Sequence, residues 1–79
     1  MIKILLFAGI AEKVGKTELQ VVKQDVSVGA IVNQLVAEHP EIEPEIHRAL
    51  IAVNEEFVDK DTTLRANDVV AFIPPVSGG

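Results

Sequence analysis

The chain has 79 residues, of which 48% are hydrophobic, so it suits one small domain with a packed core and argues against wholesale disorder. It contains no cysteine, which excludes disulfides, thiolate metal sites, iron–sulfur clusters and a cysteine nucleophile. The net charge of −5 argues against nucleic acid and anionic membrane as partners and favours a basic protein surface.

The N-terminal part of the chain predicts two strands with a short helix between them. Residues 2–8 are nearly all apolar, a pattern typical of a strand that is covered on both faces. Residues 10–14 predict one or two helical turns, which Gly15 closes at the C-terminal cap. Apolar and polar residues alternate over 17–22, which favours a half-exposed edge strand antiparallel to the first.

The main helix follows Ser27, which has the position of an N-cap. Its apolar residues recur at helical spacing and form one stripe: Val28, Ile31, Val32, Leu35 and Val36. His39 precedes a proline, which ends the helix. Residues 43–48 predict a second, short helix with carboxylates near its positive end and basic side chains near its negative end.

The C-terminal part predicts further strands. Residues 50–58 form two of them, joined by a hairpin turn at Asn54-Glu55. The polar, turn-rich stretch 59–68 is interrupted by Leu64, which we expect to anchor it to the core. Residues 69–73 form the last strand.

The arrangement of these elements predicts the fold. The first and last strands are the most continuously apolar, so we expect them side by side at the centre of the sheet. A helix lies between them in sequence, so a parallel pairing through a crossover is available. The predicted fold is α+β: a β-grasp domain over residues 1–73, with a mixed sheet of four or five strands and one main helix packed across it.

Residues 74–79, Pro-Pro-Val-Ser-Gly-Gly, predict a flexible C-terminal tail. Pro74 and Pro75 should leave the sheet as a stiff, extended segment. Gly78 and Gly79 have no side chains, so the tail presents a carboxylate at the end of a narrow arm that reaches about 20 Å when extended. The alternative interpretation is an ordinary frayed terminus.

The rest of the chain offers little catalytic chemistry. His39 and His47 are eight residues apart across a helix break, and the sequence marks no third metal ligand beside them. We therefore expect both to be solvent-facing residues at helix ends, and the acidic residues to be solvated. No phosphate loop or nucleophile elbow is present, so the domain does not look like an enzyme by itself. No membrane-spanning run or signal peptide is seen, and we expect a cytoplasmic protein.

A partner surface is predicted from the aromatic residues. A sheet with one helix has one uncovered face, and strand alternation points Phe72 and Ile73 to opposite faces. Apolar residues on the uncovered face, beside the exit of the tail, would form a patch of the kind that marks a partner site. Phe7, Phe57 and Ile73 are the candidates.

The whole chain resembles one known family. The ending from Val69 to Gly79, in particular Pro-Pro-Val-Ser-Gly-Gly, is similar to that of the small, sulfur-carrying subunit of molybdopterin synthase, within the ubiquitin-like sulfur carriers. Residues 2–8, 50–58 and 61–64 fit the same pattern. The double proline separates this ending from those of the related thiamine-pathway carriers.

The resemblance implies a function for the tail. An activating enzyme uses ATP to adenylate the carboxylate of Gly79, and sulfur from a donor protein then replaces AMP to leave a thiocarboxylate. The tail enters the large synthase subunit, Gly78 with it, and sulfur passes to cyclic pyranopterin monophosphate. Two small and two large subunits form the synthase. The domain itself binds no cofactor.

The resemblance also implies where the large subunit binds. The interface comprises the three candidates on the sheet and the tail: Phe7, Phe57, Ile73, Pro74, Pro75, Val76 and Ser77. The family often has an aromatic residue where this chain has Ile73, which reduces the ring area at that contact. Asn67 takes a turn position where the family often has glycine, and asparagine tolerates positive φ.

Three other functions remain open. A ubiquitin-like protein modifier also uses an adenylated Gly-Gly end, and forms isopeptide bonds with lysines. A sulfur carrier for thiamine or tRNA thiolation would use the same tail. An interaction module with an inert tail is the fourth hypothesis.

Overall fold

The computed structural model describes residues 1–75, which form a five-stranded sheet, a two-stranded sheet and three α-helices. The elements, in chain order, are β1 (Ile2–Leu6), α1 (Ala8–Val14), β2 (Glu18–Val21), β3 (Val26–Ser27), α2 (Val28–Glu38), a 3₁₀ turn (Pro40–Ile42), α3 (Glu43–Arg48), β4 (Leu50–Val53), β5 (Glu56–Val58), β6 (Thr63–Leu64) and β7 (Val69–Ile73). None of these helices is long and apolar enough to cross a membrane.

The main sheet has the strand order β2-β1-β7-β4-β5. The first and last strands of the chain, β1 and β7, pair in parallel at its centre, with Ile4 beside Val70. The other pairings in this sheet are antiparallel. The predicted central pair, the parallel crossover and the mixed sheet are therefore confirmed, with five strands.

Helix α2 packs across one face of this sheet. It begins at the predicted cap: the Ser27 Oγ accepts a hydrogen bond from the Ala30 backbone N–H at 3.1 Å. The predicted apolar stripe faces the core, and the helix ends at Glu38, with His39 as its C-cap. The buried core comprises Ile2, Ile4, Leu6, Ile10, Val28, Ile31, Val32, Leu35, Ile42, Ile46, Ile51, Leu64, Val70 and Phe72.

The fold differs from the expectations in three places. Strand β1 ends at Leu6 and helix α1 begins at Ala8, whereas the sequence predicted a strand over 2–8 and helical turns over 10–14. The prediction that the first strand is covered on both faces was wrong, because Lys3 is exposed and Leu5 is half-buried. Helix α2 covers only the face that carries Ile2, Ile4 and Leu6. The small sheet of β3 and β6 was not predicted, since its strands have two residues each and such short segments show no alternation.

The turns match the predicted chemistry. Gly15 caps α1 with φ of 85°, and Asn67 takes the expected positive φ of 71°. Asn54 and Glu55 form the two-residue turn between β4 and β5 with φ of 50° and 72°. Positive φ at both positions is the type I′ pattern of tight hairpins. Leu64 is fully buried, which confirms it as the anchor of the 59–68 stretch.

Candidate partner-binding surface

The face of the main sheet opposite α2 carries a row of apolar side chains. The strand registers place Leu5 of β1 beside Ala71 of β7. They place Ala52 of β4 between Ala71 and Phe57 of β5. Because side chains alternate between faces along a strand, this row lies opposite the core residues of the same strands. We call this side of the sheet the outer face.

The outer face includes the three residues that the sequence singled out. Phe57 is 72% exposed and Phe7, which follows β1, is 43% exposed. Ile73 is half-buried at the end of β7. Sequence reasoning missed Leu50, which pairs with Ile73 and is 52% exposed. The antiparallel register was needed to find it, since nothing in the sequence of β4 says which of its residues face outward.

A shallow groove of about 510 Å³ runs along the outer face. It is lined by Leu5, Ala52, Asn54, Glu55, Val69, Ala71 and Ile73. Its floor is low because two small residues, Ala52 and Ala71, lie side by side between larger neighbours. Contiguous exposed apolar surface of this kind is typical of protein-binding sites.

The side chain of Asn54 fixes one end of this groove to the start of β7. Its Oδ1 accepts a hydrogen bond from the Val69 backbone N–H at 3.0 Å, and its Nδ2 donates to the Asp68 Oδ1 at 3.0 Å. The Asp68 Oδ2 accepts from the Arg65 backbone N–H at 2.8 Å. This bond, followed by the one from Asn54, lowers the pKa of the Asp68 carboxyl from its usual range.

The last described residues show where the tail leaves the domain. Pro74 is half-buried and Pro75 is exposed, and both lie beside Glu45 and Arg48 of α3. Glu45 forms an ion pair with Lys13 of α1, and this contact lowers the pKa of the Glu45 carboxyl. The root of the tail therefore leaves the end of β7 next to a charged surface.

The remaining predicted tail residues, Val76, Ser77, Gly78 and Gly79, lie outside the described residues, and so does the predicted flexible arm.

The two histidines lie at helix ends, as predicted. His39 is the C-cap of α2, and His47 is in the last turn of α3. The His47 Nδ1 is 3.2 Å from the Lys60 Nζ, and His39 is partly buried rather than fully exposed. Within residues 1–75, no three His, Cys, Asp or Glu side chains come together as a group that could hold a metal ion.

A helix packed across a mixed five-stranded sheet, with parallel first and last strands at its centre, defines a ubiquitin-like β-grasp domain. The apolar outer face and the C-terminal strand that leads into the double proline give this domain a candidate docking surface. The model of the ThiS family matches residues 4–79, and the chain belongs to that family.

Curated relatives agree with this assignment. The chain is 38% identical to the molybdopterin synthase sulfur carrier subunit of Dictyostelium discoideum, over 98% of this chain and 94% of the relative. It is 37% identical to the subunit of the same name from Escherichia coli, over the full length of both. The resemblance to this family of subunits is therefore confirmed.

Among solved structures, the fold is similar to that of SAMP1 from Haloferax volcanii. The TM-score is 0.84, with 31% identity over 99% of this chain and 98% of that one. This similarity confirms the β-grasp fold.

Proposed function

We propose that this protein is a sulfur carrier and the small subunit of a molybdopterin synthase. In this function an activating enzyme joins the carboxylate of Gly79 to AMP from ATP and releases pyrophosphate. Sulfur at the sulfide level, supplied by a donor protein, attacks the acyl carbon, and AMP leaves as the carbon–sulfur bond forms. The resulting thiocarboxylate donates its sulfur to cyclic pyranopterin monophosphate, and two deliveries complete the dithiolene of molybdopterin.

The chemistry of the chain is consistent with this function. A carboxylate oxygen is a poor leaving group, so activation as a mixed anhydride is required before sulfur exchange. Gly78 and Gly79 allow the chain to enter a channel where a β-carbon would clash. A thiocarboxylate is a nucleophile at neutral pH, so a carrier without cysteine is sufficient. In this proposal ATP is bound by the activating enzyme and the carrier holds no cofactor.

The proposed main partner is the large synthase subunit, in an assembly of two small and two large subunits. The outer face supports this proposal, because it presents exposed apolar side chains next to the strand from which the tail emerges. Phe7, Phe57 and Ile73 would contact the large subunit, while Pro74, Pro75, Val76 and Ser77 would lead the terminus into its active site. The activating enzyme and the sulfur donor are the other partners.

The observation that carries this proposal is the similarity, over nearly the full length, to curated molybdopterin synthase sulfur carrier subunits. The family match extends through Gly79 and so includes the Gly-Gly end. Intact mass spectrometry of the protein from its native cell tests it. We expect a species in which one carboxylate oxygen is replaced by sulfur, and we expect that species to disappear when the activating enzyme is deleted. A terminus that never carries sulfur in cells actively making molybdopterin would contradict the proposal.

One observation favours a second function. SAMP1 of Haloferax volcanii, to which this chain is 31% identical, is by name a small archaeal modifier protein. A modifier would be joined through Gly79 to lysines of other proteins. Tryptic digests of the native proteome distinguish the two functions, because a modifier leaves branched peptides on target lysines whereas a carrier leaves none.

A further inference from the structure

Glu55 has an unfavourable backbone conformation for its residue type. It is the second residue of the β4–β5 turn, with φ of 72°, a position where the type I′ turn prefers glycine. Its side chain lines the groove of the outer face and is exposed. Among residues 1–75 its carboxylate takes part in no ion pair or hydrogen bond. Backbone strain of this kind clusters at binding and active sites, so it motivates a functional hypothesis for the exposed Glu55 side chain.

The turn itself is held firmly, so Glu55 has a defined place. The Asn54 backbone N–H donates to the Val69 carbonyl at 2.8 Å. The Asn54 side-chain amide accepts from the Val69 N–H and donates to the Asp68 carboxylate. The polar groups of Asn54 are thus used within the domain. Glu55 is left as the charged group at this end of the groove.

The groove floor and the charge beside it indicate what the groove accommodates. Ala52 and Ala71 leave a depression between Leu5, Val69 and Ile73, which suits a bulky apolar side chain. Among the described residues that line the groove, Glu55 is the charged one, so the charge beside the depression is negative. A basic group is the complement of that charge.

We propose that this groove is a socket for one bulky apolar side chain of the large synthase subunit, next to a lysine or arginine that pairs with Glu55. The large subunit is the occupant because Ile73, which lines the groove, is also the residue from which the tail departs. A protein that receives the tail therefore passes beside the socket. This inference rests on the proposed function and adds Glu55, Ala52 and Ala71 to the contacts that the sequence predicted.

Calorimetric titration of the full chain with the large subunit from the same organism tests the socket. Glu55→Gln should raise the Kd roughly 3- to 10-fold at low salt and less at high salt, because a charge pair at an interface rim is screened. Glu56→Gln is the matched control: it removes the same charge one residue further along, on the opposite face of β5, and should leave the Kd within about twofold.

The floor is tested separately. Ala71→Leu fills the depression and should weaken binding by roughly tenfold or more, whereas Ala37→Leu adds the same side chain to the exposed side of α2 and should leave the Kd unchanged. Glu55→Gly should raise the Tm by relieving the backbone conformation, and should weaken binding as Glu55→Gln does.

Other results overturn the inference. If the wild type binds the large subunit and Glu55→Gln and Ala71→Leu bind equally well, the socket is wrong and the proposed function stands. Self-association of the wild type that Ala71→Leu abolishes would make a second copy the occupant and would also overturn it. A lower Tm for Glu55→Gly would show that the Glu55 backbone is not strained, and the inference would lose that support. A wild type that neither binds the large subunit nor carries sulfur contradicts the proposed function together with the socket.

Discussion

Asn54 and Asp68 show how two side chains position the groove. They connect the β4–β5 turn to the residues that precede β7, and the Lys3 backbone N–H also donates to the Asp68 carbonyl at 3.0 Å. Strand β1 is thereby connected to the backbone carbonyl of Asp68, and the β4–β5 turn to its carboxylate. The hydrogen bonds to the carboxylate make the stability of this corner depend on pH.

The pKa of Asp68 is lowered by the hydrogen bonds from the Arg65 N–H and the Asn54 amide, so its ionised form stabilises the folded state. This contribution is fully present above the unfolded-state pKa of about 3.9, and it is lost as the pH falls through the lower pKa of the folded state. We therefore expect the free energy of unfolding to decrease from about pH 5 downward. Urea denaturation at several pH values measures it.

Asp68→Asn should reduce this pH dependence, because the asparagine side chain does not titrate. Asp61→Asn is the control, since it removes a surface carboxylate that accepts no side-chain hydrogen bond among the described residues. An unchanged acid slope in Asp68→Asn would contradict the assignment.

Among the secondary-structure elements, α2 depends most clearly on local sequence. Its cap, its apolar stripe and the proline after its end were all recognisable before the fold was known, and each is found where expected. Strand β1 is the opposite case: its apolar run predicted two covered faces, and the fold covers only one. The difference arises because a stripe at helical spacing specifies direction, whereas a continuous apolar run does not.

Removal of the α2 cap should cost stability. We expect Ser27→Ala to lower the free energy of unfolding by about 1 kcal/mol, because the Ala30 N–H loses its acceptor. Ser27→Asp, which keeps an oxygen acceptor at the cap, should retain most of the stability. Equilibrium urea denaturation compares the two, and equal losses in both variants would show that the cap is not the cause.

The proposed function also sets a length requirement for the tail. Deletion of Gly79, or addition of one residue after it, should abolish molybdopterin formation in a reconstituted synthase assay, because the proposed acyl carbon would be missing or misplaced. Circular dichroism should show the fold unchanged, since residues 1–73 contain every strand and helix of the described structure. Full activity of either variant would contradict the carrier function.

At the scale of the whole domain, the two faces of the main sheet differ in what they carry. The face beneath α2 contains the core, while the outer face presents Phe57, Leu50 and Phe7 to solvent beside the start of the tail. An exposed apolar face on an acidic domain of this size is expected to bind a partner. Variants on the outer face should therefore affect association far more than stability.

Phe57→Lys tests this separation. It should raise the Kd for the large subunit roughly tenfold or more, because an exposed aromatic contact is replaced by a charge that opposes a basic partner. The free energy of unfolding should change by no more than about 0.5 kcal/mol, since the ring is 72% exposed. Val22→Lys is the control and should leave the Kd unchanged. Val22 is 83% exposed, but it lies beside β2 and α2 and not beside Phe57. Equal binding by wild type and Phe57→Lys would remove Phe57 from the interface.

Local patterns alone were sufficient for α2, α3 and the Asn54–Glu55 turn, because capping, periodicity and turn chemistry act between residues close in sequence. The central pairing of β1 with β7 was predicted from the continuous apolar content of the two strands, and the family from the C-terminal motif. Phe7, Phe57 and Ile73 could also be named from the sequence as candidates for the uncovered face, because they are large apolar residues and a sheet with one helix leaves one face open.

The groove on the outer face could not be predicted from the sequence. Its floor needs Ala52 and Ala71 to be neighbours, and an alanine in a strand has no distinctive pattern until the register of β4 against β7 is known. The role inferred for Glu55 likewise depends on a φ value and on what its carboxylate does not contact among the described residues. Strand register and exposure are set by contacts between segments that are far apart in the chain, and only the folded structure contains them.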